Sequence, residues 1–463
     1  MTVVLRVFLV ALVVRIGFVL TLDPQQLYWP DERLYDEIAR GLAGGKGFVA
    51  TGYNSTPLWP FCMALLYKLF GHSFLVVRVA QSVIGALTCV VAGAAAMRLF
   101  DRRVGVWTAW VLAFYPSLVY LAGVLYMENL YAFCLSVAVY LLTRLGAEAT
   151  TRWAVFAGLA LGVAALSRSV ALLLIPAAAL VPLLAVGVTW RRRLGLCLVL
   201  GLMAVVAIAP WTIRNWVVFG RFVPVSMGSG ATLWRGNSPC SRGDAGDRFL
   251  TPDDNSWTVI PKTAQNQERL AALQARLKGL DEADTDRVLV QEAWRYIAEQ
   301  PLHCAALYVR KILTLHAAYS STRSSNAHGS PRNRLIVTAC YYPVLLLALG
   351  GMVIYARRWR ELRVPYLVWG VFTFSLPLLT TCTRFRLPTE PLLVMFAAAA
   401  AVRFWDWLRS ESDSTRWVAG IVGVGIALRL LWCGFLPSEF VWQDEKEYDA
   451  IACNLLDHGS YSM

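Results

Sequence analysis

The sequence predicts an all-α polytopic membrane protein with about eleven transmembrane helices and further juxtamembrane helices on its outer face. Three observations favour this fold class: the 463 residues are 57% hydrophobic and only 16% charged, the mean hydropathy is +0.52, and apolar runs alternate with short basic links. A soluble globule of this size needs more polar surface than such a composition supplies. We therefore expect a multi-pass membrane protein.

Apolar runs that are long enough, or nearly long enough, to cross a bilayer follow one another along the chain. They are residues 3–22, 76–99, 105–121, 126–143, 154–167, 169–188, 195–211, 335–355, 364–380, 386–404 and 417–436. No small-residue cleavage site follows the first run, so it predicts a retained helix and not a signal peptide. Gly158 and Gly162, inside one run, are predicted to be close-packing contacts between helices.

The basic links between the runs predict the orientation of the chain. Arginines cluster around residues 98–103, 191–193, 357–363 and 403–416. Because short cytoplasmic loops are enriched in Lys and Arg, placing these links inside gives one consistent alternation, with the N-terminus inside and Asp31 outside. Topology then accounts for the net charge of +13, and we expect no nucleic-acid partner.

Two longer segments lie outside under this topology. Residues 23–74 are too polar and too broken to span, and residues 212–332 begin with turn-forming residues before a helix predicted over 264–298. That helix places four leucines on one face: Leu270, Leu273, Leu277 and Leu280. The apolar stretch 301–318 carries Arg310 and Lys311, and it is predicted to lie on the membrane surface.

The end of the chain repeats its beginning. From Asp444-Glu445 onward, the pattern Asp-Glu-x-x-Tyr-Asp-x-Ile-Ala-x-x-Leu matches the pattern from Asp31-Glu32 position for position. The repeat covers only the first helix and the first outer loop. The sequence therefore predicts a functional unit over 1–410 and a partial, inactive repeat over 411–463. A truncated or frame-shifted tandem product would have this arrangement.

Asp31 and Glu32 form the main candidate site. They follow Trp29-Pro30 at the predicted start of an amphipathic helix on the outer face. The ordinary alternative is that Asp31 caps the helix N-terminus. A cap requires neither the adjacent Glu32 nor Tyr35, and the second copy keeps all three residue types. Paired carboxylates at a membrane face predict an acid/base site that accepts a proton from an acceptor hydroxyl.

Glu128 is a second acidic candidate on the outer face. It lies in Tyr126-Met127-Glu128, within an otherwise uncharged stretch between Phe114 and Leu142. An isolated ionisable residue in apolar sequence indicates function by default. The alternative is a carboxylate stabilised by the dipole at a helix N-terminus.

Three groups of outer arginines run against the positive-inside bias. They are Arg168, Arg214, and the pair Arg384 and Arg386. Guanidinium groups bind phosphate in a forked, bidentate geometry, so these positions predict contacts with a lipid phosphate. Binding of ordinary lipid headgroups remains the alternative for any one of them.

Cysteines and histidines give no support to a metal or redox site. Most cysteines lie in apolar runs as buried thiols, and only Cys240 and Cys304 could pair outside the membrane. The five histidines lack metal-ligand spacing, and there is no Walker A loop, nucleophile elbow or His-Glu-x-x-His motif. We therefore expect no metal, no cofactor and no cytosolic nucleotide chemistry.

Several short motifs together resemble a known family. They are Asp31-Glu32, Pro57-Leu58-Trp59-Pro60, Leu166-Ser167-Arg168, Pro210-Trp211 with Arg214-Asn215, and Arg384-Phe385-Arg386-Leu387-Pro388 with Pro391. Their order and spacing resemble the GT-C integral-membrane glycosyltransferases, in particular the bacterial protein O-mannosyltransferase-like and lipid A aminoarabinose transferase-like enzymes. The match covers about residues 5–405.

The resemblance implies a GT-C-like fold and a polyprenyl-phosphate sugar donor used on the periplasmic side. It implies Asp31 as general base with Glu32 beside it, and a role for Glu128 at the acceptor or donor site. It also implies a set of residues that bind substrate or the lipid phosphate: Arg33, Tyr35, Arg168, Arg214, Asn215, Arg384 and Arg386. One departure concerns Asn54-Ser55-Thr56-Pro57, where some relatives carry a lysine before a double proline, so one phosphate contact is missing from the pattern.

These inferences predict a membrane glycosyltransferase of the inner membrane, with an envelope lipid, glycan or protein as acceptor. The competing classes are a polytopic transporter or lipid flippase, and a non-catalytic relative. Transporters place polar groups near the bilayer midplane on interrupted helices, often in two full-length repeats. Here the charges gather at one face, which favours the transferase.

Overall fold

The computed structural model describes residues 2–48, 56–239, 241, 264–318 and 331–410, and throughout those ranges the regular structure is helical, with no strand. The α-helices are α1 (Thr2–Val19), α2 (Pro30–Ala43), α3 (Leu58–Phe70), α4 (Phe74–Leu99), α5 (Arg102–Phe114), α6 (Pro116–Tyr120), α7 (Met127–Glu148), α8 (Thr151–Ser167), α9 (Leu174–Ala178), α10 (Leu180–Leu183), α11 (Trp190–Phe219), α12 (Ser229–Gly236), α13 (Ala264–Leu277), α14 (Glu282–Glu299), α15 (Pro301–Leu315), α16 (Pro331–Ile354), α17 (Arg363–Ser375) and α18 (Glu390–Ser410). Short 3₁₀ segments cover Ser169–Leu173, Ala356–Arg358, Leu376–Leu378 and Thr383–Thr389. The predicted all-α class is confirmed.

Five stretches of the described chain are long and apolar enough to cross a membrane: Phe74–Leu99, Met127–Glu148, Trp190–Phe219, Leu335–Ile354 and Thr383–Ser410. Shorter apolar helical stretches cover Leu58–Phe70, Thr151–Ser167 and Ser169–Leu183. The protein is therefore a multi-pass membrane protein. The predicted run 417–436 and the repeat over 411–463 lie outside the described residues.

Some predicted spans are not single helices, and residues 105–121 and 169–188 show why. Residues 105–121 divide between α5 and α6 at Tyr115, whose extended backbone precedes Pro116. A residue before proline is disfavoured in the α region, so the helix must end there. Residues 169–188 divide into a 3₁₀ turn and the short helices α9 and α10, and Pro176 and Pro182 lie within these pieces. Proline cannot donate a backbone hydrogen bond, which explains the interruption.

The helices pack through small residues, as predicted for Gly158 and Gly162. A Cβ atom on Gly158 would lie 2.3 Å from the Leu200 carbonyl oxygen, and one on Gly162 would lie 2.6 Å from that of Ala204. Both carbonyls belong to α11, so the backbones of α8 and α11 are in direct contact. Such close approach is the usual route to helix association where lipid supplies no hydrophobic drive.

The outer region has a small core of its own, formed by residues of α12 to α15. Trp234, Leu270, Leu273, Leu277 and Leu289 are buried together, which confirms three of the four predicted leucines. The single helix predicted over 264–298 is wrong: α13 ends at Leu277, and Gly279, with φ +80°, separates it from α14. Leu280 lies in that break and is exposed.

The stretch 301–318 forms α15 as far as Leu315, and its predicted place on the membrane surface stays a prediction. Lys311, on this helix, is fully buried within the protein. Cys304, on the same helix, is a buried cysteine, and Cys240, its possible partner, lies outside the described residues.

Candidate active site

The first turn of α2 fixes the two candidate carboxylates. Trp29 has an extended backbone and precedes Pro30, which occupies the first helical position. Proline is favoured there because its fixed φ suits the helix and its missing N–H would be unsatisfied anyway. Asp31 and Glu32 then fall in the first turn, where the helix dipole favours negative charge.

The Glu32 carboxylate is buried and accepts hydrogen bonds from backbone N–H groups. Its Oε2 accepts hydrogen bonds from the backbone N–H groups of Tyr28 (2.6 Å) and Trp29 (2.8 Å), and its Oε1 accepts one from Leu125 (2.7 Å). Its exposure is 0%. Burial raises the pKa of the Glu32 carboxyl, although these hydrogen bonds and Arg78 act to lower it. Glu32, and not Asp31, therefore caps α2, and it ties that helix to the loop before α7.

Asp31 has the opposite environment. Its side chain is 43% exposed, and Oδ2 accepts a charge-assisted hydrogen bond from Arg384 Nη1 at 2.7 Å. Only this member of the predicted pair is open to solvent. The expectation of two solvent-side carboxylates holds for Asp31 and is wrong for Glu32.

Arg384 and Arg168 connect Asp31 to Glu128. Arg384 Nε lies 3.0 Å from Glu128 Oε1, and Arg168 Nη1 donates to the same oxygen at 2.9 Å. Negative and positive charges alternate in the order in which these side chains contact one another, so the four groups have no net charge as a set. The order is Asp31, Arg384, Glu128 and Arg168. Glu128 is 1% exposed, and a carboxylate so buried needs such paired cations.

The helix order explains why these four residues meet. Glu128 is in the first turn of α7 and Arg168 follows the last residue of α8. Consecutive helices joined by a short link are antiparallel, so the start of α7 and the end of α8 lie at the same end of the bundle. Asp31 on α2 and Arg384 in the 3₁₀ segment Thr383–Thr389 complete the cluster.

Aromatic rings line the two arginines. The Arg384 guanidinium carbon lies 4.5 Å from the centroid of the Tyr126 ring, and that of Arg168 lies 4.3 Å from the centroid of the Phe385 ring. Planar guanidinium groups stack on aromatic faces and keep their edges free for hydrogen bonding. The rings therefore orient both cations toward the carboxylates.

Tyr35 and Arg33 occupy different faces of α2. Tyr35 lies one turn after Asp31 and is buried, and its pKa is raised by burial and by the charges of Glu128 and Asp31. Arg33 is exposed and makes no ion pair within the described part of the chain. The structure thus brings Tyr35 near the cluster but does not bring Arg33 to it.

Arg214 and Asn215 lie near the end of α11, in contacts separate from the cluster. Arg214 donates to the Phe48 carbonyl at 3.1 Å, and its guanidinium carbon lies 4.7 Å from the Trp211 ring centroid. Asn215 is buried and donates to the carbonyls of Val223 and Val225. Asn215 therefore fixes the chain after α11, while Arg214 remains a half-buried cation with no acidic partner among the described residues.

Arg386 is unavailable to a ligand. It is 2% exposed and pairs with Glu390 at 2.9 Å. It also donates to the carbonyls of Leu315, Ala317 and Ala318 at the end of α15. The structure therefore does not bring Arg386 to the cluster, and its predicted phosphate contact has no support from these internal contacts.

Sequence reasoning missed two features of this region. Asp36 is buried, accepts a hydrogen bond from Tyr67 (2.8 Å) and forms an ion pair with Arg40 (3.0 Å). It also lies 2.8 Å from His72 Nε2, and the Tyr67 contact joins α2 to α3. Its signal was present, because the second copy repeats the Tyr-Asp pair. Lys311 was noticed with Arg310 as a cation at the membrane surface, and no sequence signal distinguished the buried lysine from the adjacent exposed arginine.

Within the described residues, no three His, Cys, Asp or Glu side chains are grouped so as to hold a metal ion. The cluster instead alternates cations with anions. Such a site can hold an anionic group and can accept a proton at its one exposed carboxylate.

Known proteins resemble this chain in a family model and in overall fold. The family model for dolichyl-phosphate-mannose-protein mannosyltransferase matches residues 54–213, about a third of the chain. The oligosaccharyltransferase of Archaeoglobus fulgidus in its apo form superposes with a TM-score of 0.53 at 12% identity, over 98% of this chain and 58% of that chain.

The chain has the GT-C fold. A second structure of that archaeal enzyme, in complex with an inhibitory peptide and a dolichol-phosphate, gives a TM-score of 0.51 at 14% identity, over 98% of this chain and 58% of its own. This chain thus spans a little over half the length of the archaeal protein. ArnT from Cupriavidus metallidurans bound to undecaprenyl phosphate gives a TM-score of 0.43 at 19% identity, over 88% and 79% of the two chains. No curated protein matches the chain.

Proposed function

We propose that this protein is a membrane glycosyltransferase that moves a sugar from a polyprenyl-phosphate donor to an envelope acceptor, which is a lipid, glycan or protein. The matched family model is named for a lipid-phosphate-mannose-dependent transfer, and the fold is that of an enzyme solved with a dolichol-phosphate. We further propose that the site faces the periplasm from the inner membrane. Two observations support this orientation. The basic links favour the cytoplasmic side, and the four cluster residues lie together at one end of the helix bundle.

The cluster of Asp31, Arg384, Glu128 and Arg168 is the observation that carries the proposal. Four segments distant in sequence bring together one exposed carboxylate, one buried carboxylate and two aromatic-lined guanidinium groups. A transferase that releases a lipid phosphate needs this combination. It needs a base for the acceptor and cations for the leaving group.

In the proposed reaction, an acceptor hydroxyl gives its proton to Asp31 while its oxygen attacks the anomeric carbon. The bond between that carbon and the phosphate oxygen breaks, and its electrons remain on the departing polyprenyl phosphate. Arg384 and Arg168 stabilise the new phosphate charge, since both can donate to phosphate oxygens in a forked geometry. Glu128 holds the two arginines together until the phosphate shares them.

The buried Glu128 carboxylate supports this exchange. Its Oε1 is used by both arginines, whereas Oε2 accepts no hydrogen bond from the described residues. Arg384 Nε also makes no hydrogen bond within the described residues, so this arginine keeps a donor that a phosphate oxygen could use. We propose the corresponding division of the chain, with residues 1–410 as the transferase unit and residues 411–463 as a partial repeat.

Purified protein incubated with a labelled polyprenyl-phosphate sugar and envelope fractions tests the proposed activity. We expect the label to enter a lipid, glycan or protein, with one polyprenyl phosphate released per sugar transferred. Movement of intact donor across a vesicle membrane without transfer would contradict the proposal and favour a transporter or flippase.

A further inference from the structure

Lys311 of α15 is a fully buried ammonium group that joins three separate parts of the chain. Its Nζ donates to the carbonyl of Gly236 (3.0 Å), to Asn237 Oδ1 (3.0 Å) and to the carbonyl of Leu379 (2.9 Å). These three acceptors satisfy all the donors of an ammonium group. Every partner is an uncharged oxygen, so Lys311 acts as a clamp between the end of α12 and the chain that leads to Arg384.

The segment that contains Leu379 packs closely against the end of α12. A Cβ atom on Gly236 would lie 1.7 Å from the Leu379 carbonyl oxygen, so the two backbones are in contact. Asn237 donates to the Leu378 carbonyl at 2.8 Å. Thr381, also buried, donates to the backbone carbonyl of Lys311 at 3.2 Å. The positions of residues 378–381 are therefore fixed against α12 and α15.

Arg386 fixes the same segment from its other side. It donates to three carbonyls at and just after the end of α15, where the helix dipole is negative, and it pairs with Glu390. Arg384 lies between the two attachments, three residues after Thr381 and two before Arg386. Both attachments lead to α15.

We propose that Lys311 is a positioning residue that holds Arg384 against Asp31 and Glu128. The proposal rests on the function proposed above, in which Arg384 stabilises the departing phosphate. A guanidinium group that is displaced by about 1 Å can cost on the order of 10²-fold in rate, because stabilisation of a transition state depends on geometry. Loss of the clamp therefore affects the chemistry even though Lys311 touches no substrate.

A lysine at this position differs from an apolar residue in its response to pH. Burial lowers the pKa of Lys311 to about 8, and the titratable group that faces it is the Cys304 thiol on the same helix. The groups that contact it from other segments, Gly236, Asn237 and Leu379, carry no charge. As pH rises through about 8, the ammonium group loses one of its three donors and the clamp weakens.

Three variants test the clamp in the full-length protein. Lys311→Met removes the ammonium group at similar volume, Lys311→Arg keeps a charge, and Lys278→Met is the control because Lys278 is exposed in the same outer region. Should Lys311→Met not fold, Lys311→Gln takes its place. Two readouts are compared: the alkylation rate of Cys382 at fixed pH, followed at the peptide level, and kcat and KM for sugar transfer.

We expect Lys311→Met to raise the alkylation rate of Cys382 several-fold, because Cys382 is half-buried in the clamped segment. We expect kcat to fall about ten-fold or more with little change in KM. The wild type should lose activity as pH rises above about 8, and Lys311→Met should not show this pH-dependent loss. Lys311→Arg should restore part of kcat and shift that loss to higher pH. Unchanged kcat, pH profile and Cys382 reactivity would overturn the proposal.

The two readouts separate the clamp from the proposed function. A wild-type protein that transfers no sugar contradicts the proposed function, and the Cys382 rate still decides whether Lys311 holds the segment. If the wild type transfers sugar, and Lys311→Met has the same kcat and the same pH profile of activity as Lys278→Met, then only the proposed role of Lys311 is contradicted.

Discussion

Asp31 and Glu32 are adjacent in sequence, yet their carboxylates lie in different surroundings because α2 turns them in different directions. Asp31 is open to solvent and paired with one arginine, whereas Glu32 is buried and accepts three backbone hydrogen bonds. Substitution of either residue by its amide is nearly isosteric. The two amide variants should therefore separate chemistry from stability.

Glu32→Gln should destabilise the fold. Both carboxylate oxygens of Glu32 accept hydrogen bonds from backbone N–H groups. In glutamine an NH2 group replaces one of these oxygens, and it cannot accept a hydrogen bond from the N–H group that it would face. Each hydrogen bond to a charged acceptor contributes about 1.5–3 kcal/mol to the free energy of unfolding, and the substitution removes one or two of them. Thermal unfolding in detergent should show a lower Tm for Glu32→Gln than for Glu37→Gln, whose carboxylate is exposed on the same helix. Equal Tm values would contradict the capping role.

Arg384 and Arg386 should also behave differently. Arg384→Gln removes a cation from a half-open site, where Asp31 is solvated and Glu128 keeps Arg168, so we expect folded but inactive protein. Arg386→Gln leaves Glu390 buried without its partner, which costs about 3–5 kcal/mol. Size-exclusion profiles and transfer rates of the two variants measure the difference. Folded, active Arg386→Gln would show that this pair is dispensable.

At the scale of elements, α8 and α11 are in direct backbone contact through the glycines of α8. Gly162→Ala should destabilise it by about 1–3 kcal/mol, because the new methyl group would meet the Ala204 carbonyl at 2.6 Å. Gly201→Ala, on α11, is the matched control, since a Cβ atom there meets nothing within 4 Å. Alanine favours a helix by about 0.5–1 kcal/mol over glycine, so the control should be neutral or slightly stabilised. Equal stability of the two variants would contradict direct backbone contact.

Elements also show where sequence reasoning was limited. Apolar length predicted the starts and ends of α4, α7 and α8 within a few residues, since hydropathy reports directly on the lipid environment. It could not predict that residues 169–188 break into three short pieces, because apolar composition is the same in a broken helix. The burial of Lys311 was also beyond it, as its acceptors come from residues about seventy positions away.

At the scale of the whole molecule, the fold places the cluster and the basic links at opposite ends. Glu37→Cys and Arg360→Cys test this arrangement, since both positions are exposed, one on α2 and the other in a basic link. In intact cells, a membrane-impermeant maleimide should label the first variant, and the second only after permeabilisation. Peptide-level analysis against the wild-type chain corrects for native cysteines. Labelling of both from outside would contradict the proposed orientation.

The candidate site was only partly predictable from sequence. Asp31, Glu128, Arg168 and Arg384 stood out because charges are rare near apolar runs, and the fold brings all four together. The same rule also selected Arg386, which is a buried structural cation, since a charge pattern cannot distinguish a ligand contact from an internal pair. That distinction needs the neighbouring carbonyls of α15.

The most direct test of the central claim is the rate of sugar transfer by Asp31→Asn, compared with Glu37→Gln in the same detergent. A general base contributes roughly 10²–10⁴-fold, so kcat/KM of Asp31→Asn should fall by at least about 10²-fold while its Tm stays near that of the wild type. Glu37→Gln should retain wild-type turnover. Wild-type kcat/KM in folded Asp31→Asn would contradict the assignment of Asp31 as the base and of this cluster as the active site.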